Sequence, residues 1–371
     1  MHLSDFDYNL PPDLIAQTPI EPRDAARMLV LHRESGEVAH QTFRDLPNYL
    51  QPGDVLVLNR TRVIPARLPA RKLPSGGAAE ILLLRQLDER RWQTIVGGKR
   101  ITTGTRLVVG DTSANGGVQI EAEVIEVGAE NERVIAFAEP LGPHLNQIGI
   151  TPLPPYITTP LDDVSRYQTI FAQQDGSAAA PTAGLHFTGE MLVKLKRQGI
   201  EIAYCTLHIG LDTFSPVHAE NVLDHAMHTE RAILTADNAQ LINEARLRGN
   251  RIVAVGTTAV RTLETAAIRS AAYGTAFNDP ASVRRTLENM QENVCPWRPV
   301  VAIDEDTDLF ITPGYRFRAV DVMLTNFHLP RSTLLMLVSA FAGREAILAA
   351  YDEAIHHAYR FFSLGDCCLL V

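Results

Sequence analysis

From Val63 to Ile150 the chain shows no helical periodicity, and that stretch limits its possible folds more than any other feature. Almost everything in it reads as short strand and turn. "AEILLLRQL" and "RWQTIVGG" flank a charged turn at Asp88-Glu89-Arg90. "TRLVVG", "VQIEAEVIEV" and "RVIAFAE" follow, separated by "DTSANGG" and "GAEN". About five or six strands at this spacing predict a small all-β barrel.

The pattern changes on both sides of this block. Before it, Pro11 to Leu50 is a series of short, proline-punctuated segments, and "GDVLVLNRTRVIPARL" starts a strand at Asp54. After "PLPPYIT" (Pro152 to Thr158), strands and helices alternate. Helices are expected over Thr188–Gln198, Ala236–Arg248, Thr258–Ser270, Ser332–Phe341 and Arg344–Arg360. Strands are expected over Ile200–Leu207, Arg251–Val255, Leu309–Ile311, Asp321–Asn326 and a closing Phe361–Leu370. Such alternation argues for a mostly parallel sheet with covering helices. The expected organisation is therefore an α/β domain in two parts, residues 1–62 and 151–371, with an inserted β-barrel at 63–150.

Composition narrows the setting. No apolar stretch approaches bilayer-spanning length, and "MHLSDFDYNLPPDL" lacks the basic and apolar regions of a signal peptide. Cys205, Cys295, Cys367 and Cys368 include no Cys-x-x-Cys pair, which suits reduced thiols. A cytoplasmic protein without membrane association is expected. The net charge of −9 argues mildly against a protein coated for nucleic acid, but RNA binding depends on a local patch and not on the sum.

Several loops carry groups suited to chemistry. "APTAGLHFTGEM" holds His186 on a turn shaped by Pro181 and Gly184, just before a helix with Thr188 as its expected N-cap. "IEIAYCTLHIGLDTF" runs from a strand into His208, Gly210 and Asp212. "RIVAVGTTAVRTLE" ends a strand at Gly256, and Thr257 and Thr258 then open a helix carrying Arg261 and Glu264. "VDVMLTNFHLPRSTLLML" ends at Asn326 and His328 before Ser332 and Thr333 start another helix. In open α/β sheets ligands bind beyond the carboxyl ends of the strands, where helix N-termini offer unpaired N–H groups. These loops are expected to face one crevice.

"LDHAMHTE" adds Asp224, His225, His228 and Glu230. Histidines three apart can share a helical face, as metal ligands or as a proton-handling cluster. The spacing is not His-Glu-x-x-His. "GGKRITTG" lacks a phosphate loop's first glycine, "VGTTAV" is no dinucleotide fingerprint, and no Gly-x-Ser-x-Gly elbow occurs. Residue chemistry alone thus leaves three classes open. These are an α/β enzyme with a histidine- and threonine-lined crevice and no reaction named, a metal-dependent hydrolase using His225 and His228, and a non-enzymatic RNA-binding module.

A resemblance separates them. "LIAQTPIEPRDAARML", "GDVLVLNRTRVIPARL", "PLPPYI", "RYQTIFA", "APTAGLHFT", "TLHIGLDTFSPV", "DHAMHTE", "VAVGTTAVRTLE", "DLFITPGYRF", "VDVMLTNFHLPRSTLLMLVSAFAG" and "YRFFSLGD" occur in this order. Together they resemble the S-adenosylmethionine:tRNA ribosyltransferase-isomerase family of queuosine biosynthesis. The resemblance implies an α/β domain with an inserted barrel. It also implies transfer of the ribosyl part of S-adenosylmethionine to the 7-aminomethyl-7-deazaguanine of tRNA, giving epoxyqueuosine, adenine and methionine.

That reaction needs a base for a C5′ proton beside the sulfonium, an acid for the departing adenine, a donor cluster for the methionine carboxylate, and positive charge for RNA. His186, His208, His225, His228 and His328 are the expected proton carriers, with Asp224 and Glu230 as orienting carboxylates. Thr182, Gly184, Thr257, Thr258, Arg261, Asp321, Asn326, Ser332 and Thr333 are the expected substrate contacts. Arg60, Arg62, Arg67, Arg71 and Lys72, where the chain enters the barrel, are the expected RNA contacts. Phe187 or Phe327 would stack on a flipped base. S-adenosylmethionine is expected as co-substrate, with no metal, and the protein is expected to be a monomer.

Overall fold

The computed structural model describes residues 1–110, 117–128, 131–210, 219–225, 227, 229–271 and 298–371 of the chain. The strands in chain order begin with β1 (Arg27–Leu31), β2 (Val38–Thr42), β3 (Val55–Asn59) and β4 (Thr61–Val63). Six barrel strands follow: β5 (Arg67–Lys72), β6 (Ala78–Gln86), β7 (Arg91–Gly97), β8 (Arg106–Gly110), β9 (Gln119–Val127) and β10 (Glu132–Phe137). The remainder are β11 (Gln174–Ser177), β12 (Glu201–Leu207), β13 (Glu230–Leu234), β14 (Ile252–Val255), β15 (Ile303–Thr307), β16 (Val322–Asn326) and β17 (Cys367–Leu370). Among the described residues the helices are α1 (Leu145–Ile148), α2 (Gly189–Arg197), α3 (Ala236–Leu247), α4 (Thr257–Ala271), α5 (Thr333–Ala342) and α6 (Arg344–His356).

The barrel forms as its pattern predicts. Its six strands close in the order β10-β7-β6-β5-β8-β9, every neighbouring pair antiparallel. Along β9, Ile120, Ala122 and Val124 are buried while Gln119, Glu121 and Glu123 are exposed. That alternation places one row of side chains in a closed interior with Leu68, Ile81, Leu107 and Ile135.

The main sheet has nine strands in the order β15-β13-β12-β3-β14-β16-β17-β1-β2. Here the expectation of a mostly parallel sheet needs correction. Four adjacent pairs are parallel and four antiparallel. Only the centre, β12-β3-β14-β16, is a continuous parallel block. At one end β13 runs against the block and β15 against β13, and at the other β17 runs against β16. The central strands are buried on both faces, so β3 and β14 read as near-continuous apolar runs.

Side-chain alternation along the central strands feeds two cores. Val57, Ala254 and Met323 face α3, α4, α5 and α6. Leu58, Val255 and Leu324 face α2 and the short turns around Phe43 and Phe187. α4 is buried almost all round, so its polar side chains need internal partners. Glu264 accepts from the Tyr315 hydroxyl at 2.9 Å and from the amides of Arg318, Ala319 and Val320. Among the described residues no single helix is long and apolar enough to cross a membrane.

Candidate active site

Because β12, β3, β14 and β16 are parallel neighbours, their carboxyl ends share one edge. Asn59, His208, Gly256 and Asn326 lie there. The segment from Ser177 to His186 threads along this edge. Its Ser177 hydroxyl accepts the Ile209 amide at 2.9 Å, and Thr182 Oγ1 donates to Asn326 Oδ1 at 2.9 Å. Midway, a Cβ built on Gly256 would stand 3.7 Å from Ala183. Gly256 needs its freedom because φ is +83° where the strand turns into α4. Parts of the loops singled out in the sequence, those around His186, His208, Gly256 and Asn326, therefore lie along one edge.

His186 is the most deeply prepared of the histidines at this edge. It ends a short 3-10 turn over Thr182–His186, and its ring packs 5.3 Å from that of Phe43. The amide nitrogen of Asn326 sits 3.5 Å from His186 Nε2 and 3.3 Å from the Asp366 carbonyl. Burial pushes the imidazole down to about 4, with the Arg23 and Arg360 cations adding to the effect and a hydrogen bond with the Arg23 backbone opposing it. His186 is therefore neutral near pH 7.

Beside it opens a narrow cleft lined by Arg23, Arg166, Leu185, His186, Ser363 and Gly365. Arg23 is pinned by the carbonyls of Gln168 and Leu185, at 3.0 and 3.1 Å, and of Ser165. Arg166 pairs with Glu21 and donates to the Ile20 carbonyl. Phe362, next to Ser363 in the cleft wall, has φ +70°, a left-handed conformation unfavourable for a bulky residue and most often retained at functional sites. Arg23, Arg166 and Arg360 were not singled out from sequence. The only signal was their place inside "EPRD", "RYQTIFA" and "YRFF", strings without a chemical rationale of their own.

Among the described residues the other histidines of the site do not join His186. Successive strand residues point to opposite faces, so Asn326 turns toward His186 while Thr325 turns the other way. Thr325 Oγ1 lies 2.9 Å from Nε2 of His328. His328 is buried on that second face, its amide bonded to the Tyr351 hydroxyl and its carbonyl to that of Tyr8. Burial pushes it down to about 3, so it is a neutral core group. His208 Nδ1 lies 2.8 Å from Thr61 Oγ1, and its ring packs on Gly176 where a Cβ would come within 2.9 Å. Burial lowers its pKa too. His225 is half-buried and meets Phe310 edge to face at 5.6 Å. His228 and Asp212 lie outside the described residues.

The chain just before His225 forms a short turn, Val222–Asp224, with His225 as its C-cap, and β13 begins at Glu230. Asp224 is exposed. Glu230 opens β13, accepts the Gly210 amide at 3.2 Å and forms a buried ion pair with Arg261. Arg261 also donates to the Leu309 carbonyl at 3.2 Å, and burial lowers it to about 10, opposed by Asp308. Glu230 and Arg261 therefore pair with each other in the interior.

The remaining substrate contacts divide. Thr257 and Thr258 start α4 at the edge, and the buried Thr258 hydroxyl has no partner among the described residues. Ser332 is fully engaged as an N-cap, accepting the Leu335 amide and donating to the Leu329 carbonyl, with Thr333 the first helical residue. Gly184 faces protein, with Phe171 and Thr169 filling the space a Cβ would need. Asp321 is a correction. It precedes β16 and so lies at the amino end of the sheet, binding Arg246 at 2.6 Å and the Ile252 amide at 2.8 Å.

Phe187 and Phe327 are corrections as well. Both are fully buried, Phe187 against Phe43 and Phe327 among Tyr351, Tyr359 and Phe361, so neither offers a free stacking face. The basic residues spread along the route into the barrel. Arg60 contacts Gln173, Arg62 donates to the Ala172 carbonyl beside Asp175, and Arg67 lies 3.9 Å from Glu80. Arg71 is exposed on β5, and Lys72 Nζ donates to the Lys99 carbonyl at 2.8 Å.

Comparison with known proteins agrees with this architecture. The sequence profile of the family described as "Queuosine biosynthesis protein" matches residues 3–370. A relative in Moorella thermoacetica named S-adenosylmethionine:tRNA ribosyltransferase-isomerase is 48% identical over 375 residues, covering all of both chains. One of the same name in Symbiobacterium thermophilum is 50% identical over 377 residues with the same coverage. A crystal structure titled S-adenosylmethionine tRNA ribosyltransferase, from Thermotoga maritima, superposes with a TM-score of 0.52 at 37% identity. It covers 99% of this chain and 100% of that one.

Proposed function

The chain belongs to the queuosine biosynthesis protein family, and from that premise we propose how the cleft beside His186 carries the reaction of an S-adenosylmethionine:tRNA ribosyltransferase-isomerase. The enzyme moves the ribosyl part of S-adenosylmethionine to the 7-aminomethyl-7-deazaguanine of tRNA, giving epoxyqueuosine-tRNA, adenine and methionine. The names of the relatives favour this transferase over a metal-dependent hydrolase built on His225 and His228.

The observation that carries the site assignment is the union of Thr182, His186 and Asn326 at the carboxyl edge, beside an arginine-lined cleft. His186 is the base for the C5′ proton. It is neutral when substrate arrives, and the Asn326 amide 3.5 Å from Nε2 orients the ring and yields the lone pair when substrate binds. Protonation next to Arg23 and Arg360 is unfavourable, so the imidazolium readily gives its proton up, in the direction needed to protonate leaving adenine. The start of α4 suits the methionine carboxylate, because the Thr258 hydroxyl there has no partner among the described residues. His208, with Thr61, is the second titratable group on the same edge.

The barrel, taken as an inserted domain over 63–150, and the residues leading into it supply the RNA surface through Arg60, Arg62, Arg67, Arg71 and Lys72. We take the enzyme to act as a cytoplasmic monomer with S-adenosylmethionine as co-substrate and without a catalytic metal. The test is incubation of purified protein with S-adenosylmethionine and tRNA bearing the aminomethyl base. Stoichiometric adenine and epoxyqueuosine are expected, and His186→Ala should abolish both while the fold persists. Near-normal turnover in that variant would remove His186 from the mechanism.

A further inference from the structure

Away from the carboxyl edge, three side chains come together that the reaction does not use. His40 lies on β2, the last strand of the sheet, while Glu353 is in the final turn of α6 and His357 is its C-cap. Glu353 Oε1 is 3.4 Å from His40 Nε2 and 3.2 Å from His357 Nδ1. All three donor atoms lie within 4.8 Å of one another. The two rings stand 4.3 Å apart, tilted by 35°.

We propose that His40, Glu353 and His357 form a binding site for a late first-row divalent cation of the Zn2+ class, with water completing the shell. A tetrahedral zinc with bonds of about 2.0–2.1 Å has ligand-to-ligand edges of roughly 3.3 Å. Both distances from Glu353 already match that edge, so little rearrangement is needed. Two imidazoles and one carboxylate are a donor set that favours zinc, nickel or copper over magnesium or calcium.

The surroundings favour such a site and also limit its strength. His40 Nδ1 lies 2.9 Å from the hydroxyl of Tyr359, a buried residue that fixes the ring and can accept the Nδ1 proton while Nε2 binds metal. The C-terminal end of α6 presents carbonyl dipoles, which attract a cation. Against this, Arg27 stacks on Tyr359 at 3.7 Å and donates to the His357 carbonyl, placing a positive charge nearby. His357 Nδ1 is also 3.1 Å from the Glu353 carbonyl, so loading requires the Nε2–H tautomer of that ring. His356 turns to Asp352 and stays outside the triad. A bound ion would tie the edge strand to the last helix, and mass action would then stabilise the folded chain.

The test uses the full chain stripped with a chelator and titrated with zinc chloride by calorimetry, with thermal unfolding measured alongside. One ion per chain and a rise of several degrees in Tm are expected. His40→Ala and His357→Ala should each weaken binding at least tenfold and remove the Tm rise, with adenine release unchanged. An excess of magnesium should not compete. Absence of stoichiometric binding in the parent protein, or binding that survives His40→Ala, would overturn the proposal.

Discussion

Asn326 holds His186 by placing its amide nitrogen 3.5 Å from Nε2 while its amide oxygen accepts the Thr182 hydroxyl at 2.9 Å. The same nitrogen reaches the Asp366 carbonyl, so one side chain ties β16, the 182–186 turn and the C-terminal "YRFFSLGD" segment together. Asn326→Ala should therefore lower kcat by about 100-fold, the scale of an approximately 1 Å misplacement. The unpaired Thr182 and Asp366 groups should cost about 1–3 kcal/mol of stability. Single-turnover adenine release together with urea unfolding checks both, and unchanged kcat would show that His186 needs no brace.

The pH dependence follows from the direction of the shifts. His186 and His328 are pushed down from 6.5 to about 4 and about 3, so the unfolded chain binds their protons first as pH falls. Their contribution is complete above pH 6.5 and declines from there toward the folded values, by about 3 kcal/mol or more each before discount. His328→Gln should flatten the decline, read as unfolding midpoints across that range. If His186 is the base, the acidic limb of kcat/KM should fall near pH 4 rather than near 6.5.

The buried Glu230–Arg261 pair makes an asymmetric prediction. Removing only the carboxylate, as in Glu230→Leu, strands a guanidinium and should cost about 3–5 kcal/mol, whereas Glu230→Leu with Arg261→Met should recover most of the loss. Chemical unfolding of the two singles and the double completes the cycle. Equal losses in the single and double variants would mean that packing, not charge, governs the position.

For RNA, reversing Arg62 and Arg67 to Glu should weaken tRNA binding and reduce its salt dependence by roughly 0.7–0.9 in log–log slope per lost phosphate contact. Filter binding at several salt concentrations measures this. Unchanged slope and affinity would move the docking surface elsewhere.

How much of this was legible beforehand depends on the range of the interactions. The barrel was legible because each strand announces itself by local alternation, as "VQIEAEVIEV" does. α2 and α5 were legible from Thr188 and Ser332, which cap as expected. β1 was not, since Arg27–Leu31 is a strand only because β17 and β2 flank it, and β17 comes from the far end of the chain. "IDEDT" at Ile303–Thr307 lies in none of the expected strands, Leu309–Ile311 being expected nearby, and an edge strand tolerates and uses such charged residues. In the site, loop convergence was readable from strand ends. The side of the sheet each histidine takes was not, because Thr325 and Asn326 differ by one residue and face opposite cores.

The position of Cys367–Leu370 inside the sheet, between β16 and β1, has a consequence for biosynthesis. β1 and β2 leave the ribosome long before β17, so the slot joining them to the rest of the sheet stays open until Cys367–Leu370 has been made. During that interval the nascent chain carries the apolar, unpaired flank of Met28–Leu31, which makes it a natural client for chaperones that shield such edges.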